Sequence, residues 1–147
     1  MSDHLMGLWS LTEFSISFPD ERPTRYPFGR KPSGFLSYHS SGHMQALLSH
    51  QDRSPFPKDL EHAHRVDETT KARAFDESLS YAGRWELDNT VIHHHVLFAS
   101  NPQIIGHTLS RRIHQLTETH LQLGYAVHGR SGQINYILKW IKIPNLE

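Results

Sequence analysis

The chain has 147 residues, 37% hydrophobic and 10% aromatic, with 15 Lys and Arg balanced by 15 Asp and Glu. That is the length of one domain, enough for a single core and too little for a second catalytic unit. Zero formal charge without a basic tract argues against nucleic acid as a partner. The absence of Cys excludes disulfides, thiolate metal sites and a Cys nucleophile.

The first ten residues, MSDHLMGLWS, hold neither a basic stretch nor an apolar run, and no later run approaches the length of a membrane span. The expectation is a cytoplasmic protein with no membrane partner. Residues 7–18 alternate, with Trp9 and Leu11 on one face and Phe14, Ile16 and Phe18 continuing at period two, which predicts a strand. Residues 19–34 hold four Pro and two Gly and predict a loop whose Tyr26 and Phe28 cover a pocket mouth.

Residues 35–50 predict a hairpin that turns at His39-Ser40-Ser41-Gly42, with Met44, Ala46 and Leu48 sharing one face. Residues 51–66 predict a polar loop. Asp67 is placed to cap a helix from Thr69 to Ala82, with Ala72, Phe75, Leu79 and Ala82 on one stripe and Gly83 as its stop.

Period two then returns. A hairpin turns at Asp88-Asn89, and its second arm puts Ile92, His94, Val96 and Phe98 on one face. Asn101-Pro102 ends that arm, and strands over 106–116, 120–127 and 133–143 complete the chain. About eight strands with short connections and one short helix predict a mainly β fold over 1–147: a single antiparallel meander closed into a barrel.

Several stretches, taken in order, are similar to a known family. They are Gly7-Leu8-Trp9; Tyr26-Pro27-Phe28-Gly29 with Gly34-Phe35-Leu36-Ser37-Tyr38 and Gly42-His43-Met44; Phe75 with Tyr81-Ala82-Gly83 and Trp85; and Ile92 to Val96 with Asn101-Pro102, Gly106 and Arg111. The chain resembles the lipocalin-like domain proteins of bacteria and fungi, of the calycin type. The resemblance implies a β-barrel around a ligand cavity and no single activity. Calycins often stack a closing-strand Arg over the first-strand Trp, where this chain offers Lys142, which lacks the planar guanidinium.

Candidate site residues follow from strand parity. His94 sits on an apolar face, and its ordinary pKa suits acid–base work near neutral pH. Arg111 shares parity with Leu109 and Ile113, and a charge there calls for a ligand carboxylate or enolate, or an internal partner such as Glu86 or Glu13. Tyr38 joins them as a hydrogen-bond donor, giving His94, Arg111 and Tyr38 as the candidate catalytic set. Tyr26, Met44, Tyr81, Trp85, Phe98, Tyr136 and Trp140 are the expected apolar lining with a few polar points. Trp9 is expected to plug the closed end.

His93 and His95 form His-x-His on the opposite face, but no Glu follows as in cupin barrels; with His62 and His64 they are read as solvated, and neither metal nor cofactor is expected. No phosphate-binding Gly loop, nucleophile elbow or dinucleotide fingerprint occurs.

The expected partner is therefore a small hydrophobic molecule, held by a cofactor-independent cyclase or isomerase of natural-product intermediates, or by a non-catalytic carrier. A third possibility is an interaction module with a filled barrel, which predicts no cavity above roughly 300 Å³. The chain is expected as a monomer or a homodimer, Ile137, Ile141 and Ile143 offering an outer apolar patch.

Overall fold

Eight antiparallel strands close on themselves: β1 (Gly7–Ser17), β2 (Ser33–Tyr38), β3 (His43–Ser49), β4 (Ser78–Asp88), β5 (Val91–Ala99), β6 (Thr108–Leu116), β7 (His120–Gly129) and β8 (Gly132–Lys142). Each pairs with the next, and β8 pairs back onto β1, so no edge is left open. This computed structural model describes residues 2–57 and 59–146. Among the described residues two short α-helices accompany the barrel, α1 (Ser2–Leu5) and α2 (Glu68–Asp76), with 3₁₀ turns at Leu60–Arg65 in the expected polar loop and at Pro102–Ile104.

Period-two alternation puts one face of every strand inside. Met44, Ala46 and Leu48 of β3 are buried together, as their spacing requires. The β2–β3 turn is closed by Gly42 at φ 87, a left-handed conformation that costs glycine little.

Three register shifts, in β1, in β5 and at His114 of β6, decide which residues face inward. In β1, Leu11 lies opposite Trp140 and Glu13 opposite Lys139, so Thr12 is an extra residue. Trp9 and Leu11 point inward before it, and Phe14 and Ile16 after it. In β5, Val96 lies opposite Gly83 and Phe98 opposite Ala82, so Leu97 is the extra residue. The parity flips there, and Phe98 emerges 69% exposed on the outer surface. The expectation that Phe98 shares the inner face of His94 is therefore corrected by this bulge.

The helix ends earlier than the apolar stripe suggests. Asp67 caps it as expected, its carboxylate accepting from the Thr70 N–H, but the helix stops at Asp76. Leu79 and Ala82 belong to β4, paired with Leu48 and Gln45. Phe75 is left half-exposed rather than seated in a core stripe. Gly83 is not a helix stop; a Cβ there would sit 1.9 Å from the His95 carbonyl oxygen across the bulge.

The end of the barrel below α1 is closed by Trp9, fully buried, whose Nε1–H donates to the Leu5 carbonyl at 2.8 Å. Lys142 does take the place of the expected Arg. Its Nζ lies 4.5 Å from the Trp9 ring centroid and donates to the His4 carbonyl at 3.0 Å and to the Met6 carbonyl. Burial lowers its pKa.

The loop from 19 to 32 is tied down by paired backbone hydrogen bonds between Ile16 and Arg25, both 2.9 Å, and by Gln51 N–H to the Phe28 carbonyl at 3.0 Å. Phe28 packs edge-on against Phe14 at 5.8 Å. Tyr26 instead carries the Arg30 guanidinium 4.0 Å above its ring. Among the described residues, no helix is long and apolar enough to cross a membrane.

Gly83→Ala tests the close approach of β4 and β5. The added methyl has backbone rather than a flexible side chain in its way, so a loss of about 2–3 kcal/mol is expected, the upper part of the range for overpacking. Urea unfolding of the variant measures it; a loss under about 0.5 kcal/mol would mean that the strands do not approach as described.

Candidate functional site

β5 carries His94 into the barrel, where it is 2% exposed. Two phenols bracket its ring. Tyr38, reaching across from β2, places its hydroxyl 2.7 Å from Nε2, and Tyr81 of β4 places its hydroxyl 2.8 Å from Nδ1. Burial, then the positive charge of Arg111, pull the imidazole down to about 3. Burial pushes the Tyr81 phenol up to about 12 and that of Tyr38 well above its ordinary value. All three groups are therefore uncharged at neutral pH. The expectation of a histidine titrating near neutrality is corrected by desolvation.

A neutral imidazole has one N–H and one lone pair. One phenol must donate to it and the other must accept from it, and the accepting phenol keeps its own proton for another partner. Tyr81 borders the interior hollow and Tyr38 does not. If Tyr38 were the acceptor, its O–H would be buried with nothing among the described residues to receive it, at a cost of about 1–3 kcal/mol. The favourable tautomer has Tyr38 donating to Nε2 and Nδ1–H donating to Tyr81, which frees the Tyr81 hydroxyl proton towards the hollow.

Arg111 of β6 faces the same hollow, as its parity requires. Its guanidinium lies 4.0 Å above the Tyr125 ring, which stacks on Tyr136 at 4.5 Å with the planes 10° apart. Its one hydrogen bond among the described residues is to the Ser110 carbonyl, at 3.2 Å. The expected internal carboxylates are elsewhere. Glu13 pairs with Lys139 at 3.2 Å and Glu86 with His95 at 3.6 Å, both on the outer surface. Trp140, also at the hollow, buries an indole N–H with no hydrogen-bond partner among the described residues.

The hollow itself has a volume of about 60 Å³. It brings together Tyr81, His94, Arg111 and Trp140 of the expected residues. Tyr38 stands behind His94, with Trp85 packed against it at 5.0 Å and bonded by its indole N–H to the His39 carbonyl at 3.0 Å. Met44 is core, and Tyr136 backs Tyr125. Tyr26 and Phe98 do not border the hollow. Tyr125 and Phe14 do, and went unselected in the sequence. Tyr125 was signalled by its parity with Leu121 and Leu123; Phe14 was hidden by the bulge at Thr12.

On the outer face, His93 and His95 lie 6.3 Å apart, ring to ring, and bond through Nδ1 to Ser110 and Thr108, both at 2.8 Å. His62 bonds to Asp59 at 2.6 Å. Among the described residues, no three His, Asp or Glu side chains gather as a metal would require.

Solved structures with similar topology include a lipocalin-like protein from Bacteroides uniformis, 12% identical, covering 95% of this chain and 99% of that one at a TM-score of 0.49. A bovine odorant binding protein, a deswapped triple mutant, is 15% identical and covers 98% of this chain and 77% of its own at 0.45. A redesigned β-barrel is 7% identical, with coverages of 98% and 95% at 0.42. A search of curated proteins finds no match. The sequence from residue 6 to 143 matches the lipocalin-like domain, nearly the whole barrel, and the chain therefore belongs to the lipocalin-like domain family.

Proposed function

We propose that the barrel binds a small hydrophobic molecule through an oxygen-bearing head, a carboxylate, enolate or carbonyl. The observation that carries this reading is Arg111, a cation turned into a barrel with no carboxylate to meet it among the described residues. Tyr81 and Trp140 add an O–H and an N–H at the same hollow, so donors outnumber acceptors there. A ligand head that accepts hydrogen bonds satisfies this imbalance, and Phe14, Leu48 and Leu123 meet its apolar body.

At about 60 Å³ the hollow is far below the roughly 300 Å³ at the lower end of ligand pockets. Binding therefore includes an opening step, in which the half-buried Arg111 swings off Tyr125. The filled-barrel reading, an interaction module without a ligand, is favoured by the same small volume, and the experiment below separates the two.

Catalysis is the finer reading: a cofactor-independent cyclase or isomerase acting on a natural-product intermediate. Confinement lowers the entropic part of a cyclisation barrier, and Arg111 with Tyr81 polarises a carbonyl. His94 then acts by orienting Tyr81 rather than by taking a proton. The carrier reading is favoured by that same neutral, doubly hydrogen-bonded imidazole, which leaves the hollow without a base at neutral pH. Mass spectrometry of the protein purified under native conditions separates these uses, because a tightly retained small molecule marks a carrier.

Thermal stabilisation by hexanoate and benzoate, set against hexanol and benzyl alcohol, tests the anchor. The carboxylates are expected to raise Tm more than the alcohols in the natural protein, and Arg111→Met is expected to abolish that preference by about tenfold in affinity, or about 1.4 kcal/mol. If neither pair shifts Tm, the filled barrel is the correct reading. If acids and alcohols act alike before and after the substitution, Arg111 is not the anchor.

The buried imidazole makes a second expectation. An unfolded chain protonates His94 near 6.5, and the folded one only near 3. Between those values the unfolded state binds more protons, so stability falls as pH falls. The contribution reaches at most about 1.4 kcal/mol per pH unit, starts near pH 6.5, and adds nothing further below pH 3. Urea unfolding at pH 7, 5.5 and 4.5 should show a shallower loss in His94→Gln than in the natural protein; equal slopes would mean that the folded imidazole takes up its proton normally.

A further inference from the structure

The three tryptophans of the chain treat their indole N–H groups differently. Trp9 donates to the Leu5 carbonyl at 2.8 Å and Trp85 to the His39 carbonyl at 3.0 Å. Trp140 is 3% exposed and borders the hollow, yet its N–H meets no acceptor among the described residues. Its surroundings explain why. Trp140 stands between Leu11 of β1 and Leu121 of β7, and Leu36, Ala46 and Leu138 border the hollow with it. All five are hydrocarbon. A donor left unmade in such a place costs about 1–3 kcal/mol, and a buried indole usually finds a partner.

The other donors at the hollow form a separate group. Arg111 lies over Tyr125, and beside the larger effect of burial its charge lowers the pKa of both Tyr81 and His94. Across β7 and β8, Tyr125 pairs with Tyr136 and Leu121 with Trp140, so Trp140 is anchored four residues along the strands from the Arg111–Tyr125 contact. At the rise of a strand that is roughly 13 Å. Leu123 and Leu138, paired with each other, fill the interval and border the hollow. The two oxygens of a carboxylate share one carbon. A head seated on Arg111 therefore leaves the Trp140 N–H to a different oxygen.

We infer that Trp140 is a specificity-determining residue, which donates its indole N–H to a second oxygen of the ligand, set apart from the acidic head by a short hydrocarbon segment. The ligand class is then an oxygenated acid, with a carbonyl or hydroxyl along its chain, rather than a plain fatty acid. This rests on Arg111 as the anchor of the head and adds the requirement on the body. Burial removes the indole N–H from bulk water, so a chain oxygen that reaches it recovers a hydrogen bond that a methylene cannot supply.

Hexanoate, 4-oxohexanoate and 5-oxohexanoate test this on the full chain, by Tm and by the indole N–H resonances of isotope-labelled protein. At least one oxo acid is expected to bind about tenfold more tightly than hexanoate. It should move the Trp140 indole proton downfield and leave those of Trp9 and Trp85 in place. Trp140→Phe should bind oxo acids no better than hexanoate, while hexanoate keeps its advantage over hexanol. Nuclear Overhauser contacts to Leu11 and Leu121 assign the Trp140 resonance in the natural protein, so the result does not depend on the variant's folding. If hexanoate binds through Arg111 but neither oxo acid binds better or moves the Trp140 signal, the role of Trp140 is overturned and the anchor stands. If no acid shifts Tm, the anchor fails and the role of Trp140 falls with it.

Discussion

The hydrogen-bonded line from Tyr38 through His94 to Tyr81 is the constraint on which the interior depends. It joins β2, β5 and β4 across the barrel, with 2.7 and 2.8 Å contacts at the two ring nitrogens. An imidazole among Leu, Met and Val side chains is costly unless both nitrogens are satisfied. Here both are, and satisfaction requires three strands at fixed separation. The imidazole thereby sets which phenol is a donor to the hollow and holds Tyr81 in place. Its low pKa is the electrostatic face of the same fact, because a charged ring would have two N–H groups facing two phenols and no carboxylate.

Bulges do the rest of the positioning. A strand without them keeps one set of residues inside along its length. β1 instead serves the plugged end with Trp9 and Leu11, and the hollow with Phe14, by inserting Thr12. β5 places Ile92, His94 and Val96 inside, and Leu97 and Phe98 outside, by a second insertion. One strand thus contributes to the interior and to the outer surface.

This is also where the sequence stops being legible. The barrel was readable because alternation recurs in every strand, and the inward sides of His94 and Arg111 were readable because each lies before its strand's irregularity. Phe98 lies beyond one and was misplaced. The helix was overextended because Ala72, Phe75, Leu79 and Ala82 fit a helical stripe while Leu79, Tyr81, Gly83 and Trp85 fit a strand. Pairing of Leu79 with Leu48 and Tyr81 with Ala46 settled the conflict, and no local propensity reports such long-range partners. The division of labour between Tyr38 and Tyr81 was equally hidden, because it depends on which hydroxyl borders a volume and not on which face a residue occupies.

Arg111 shows how a barrel can keep a cation that meets no carboxylate among the described residues without collapsing the fold. Full burial of a lone charge is prohibitive, but the Tyr125 face offers electrostatic attraction, Tyr136 backs that ring, and the Ser110 carbonyl takes one N–H. None of these contacts removes the positive field inside, and that field reaches His94, whose proton affinity it lowers after desolvation has done so. An anion entering the hollow would cancel it. On the proposed reading, ligand occupancy and the protonation of His94 would be coupled through one charge: a bound carboxylate would raise the imidazole's affinity for a proton, and a proton on the imidazole would strengthen the hold on the carboxylate.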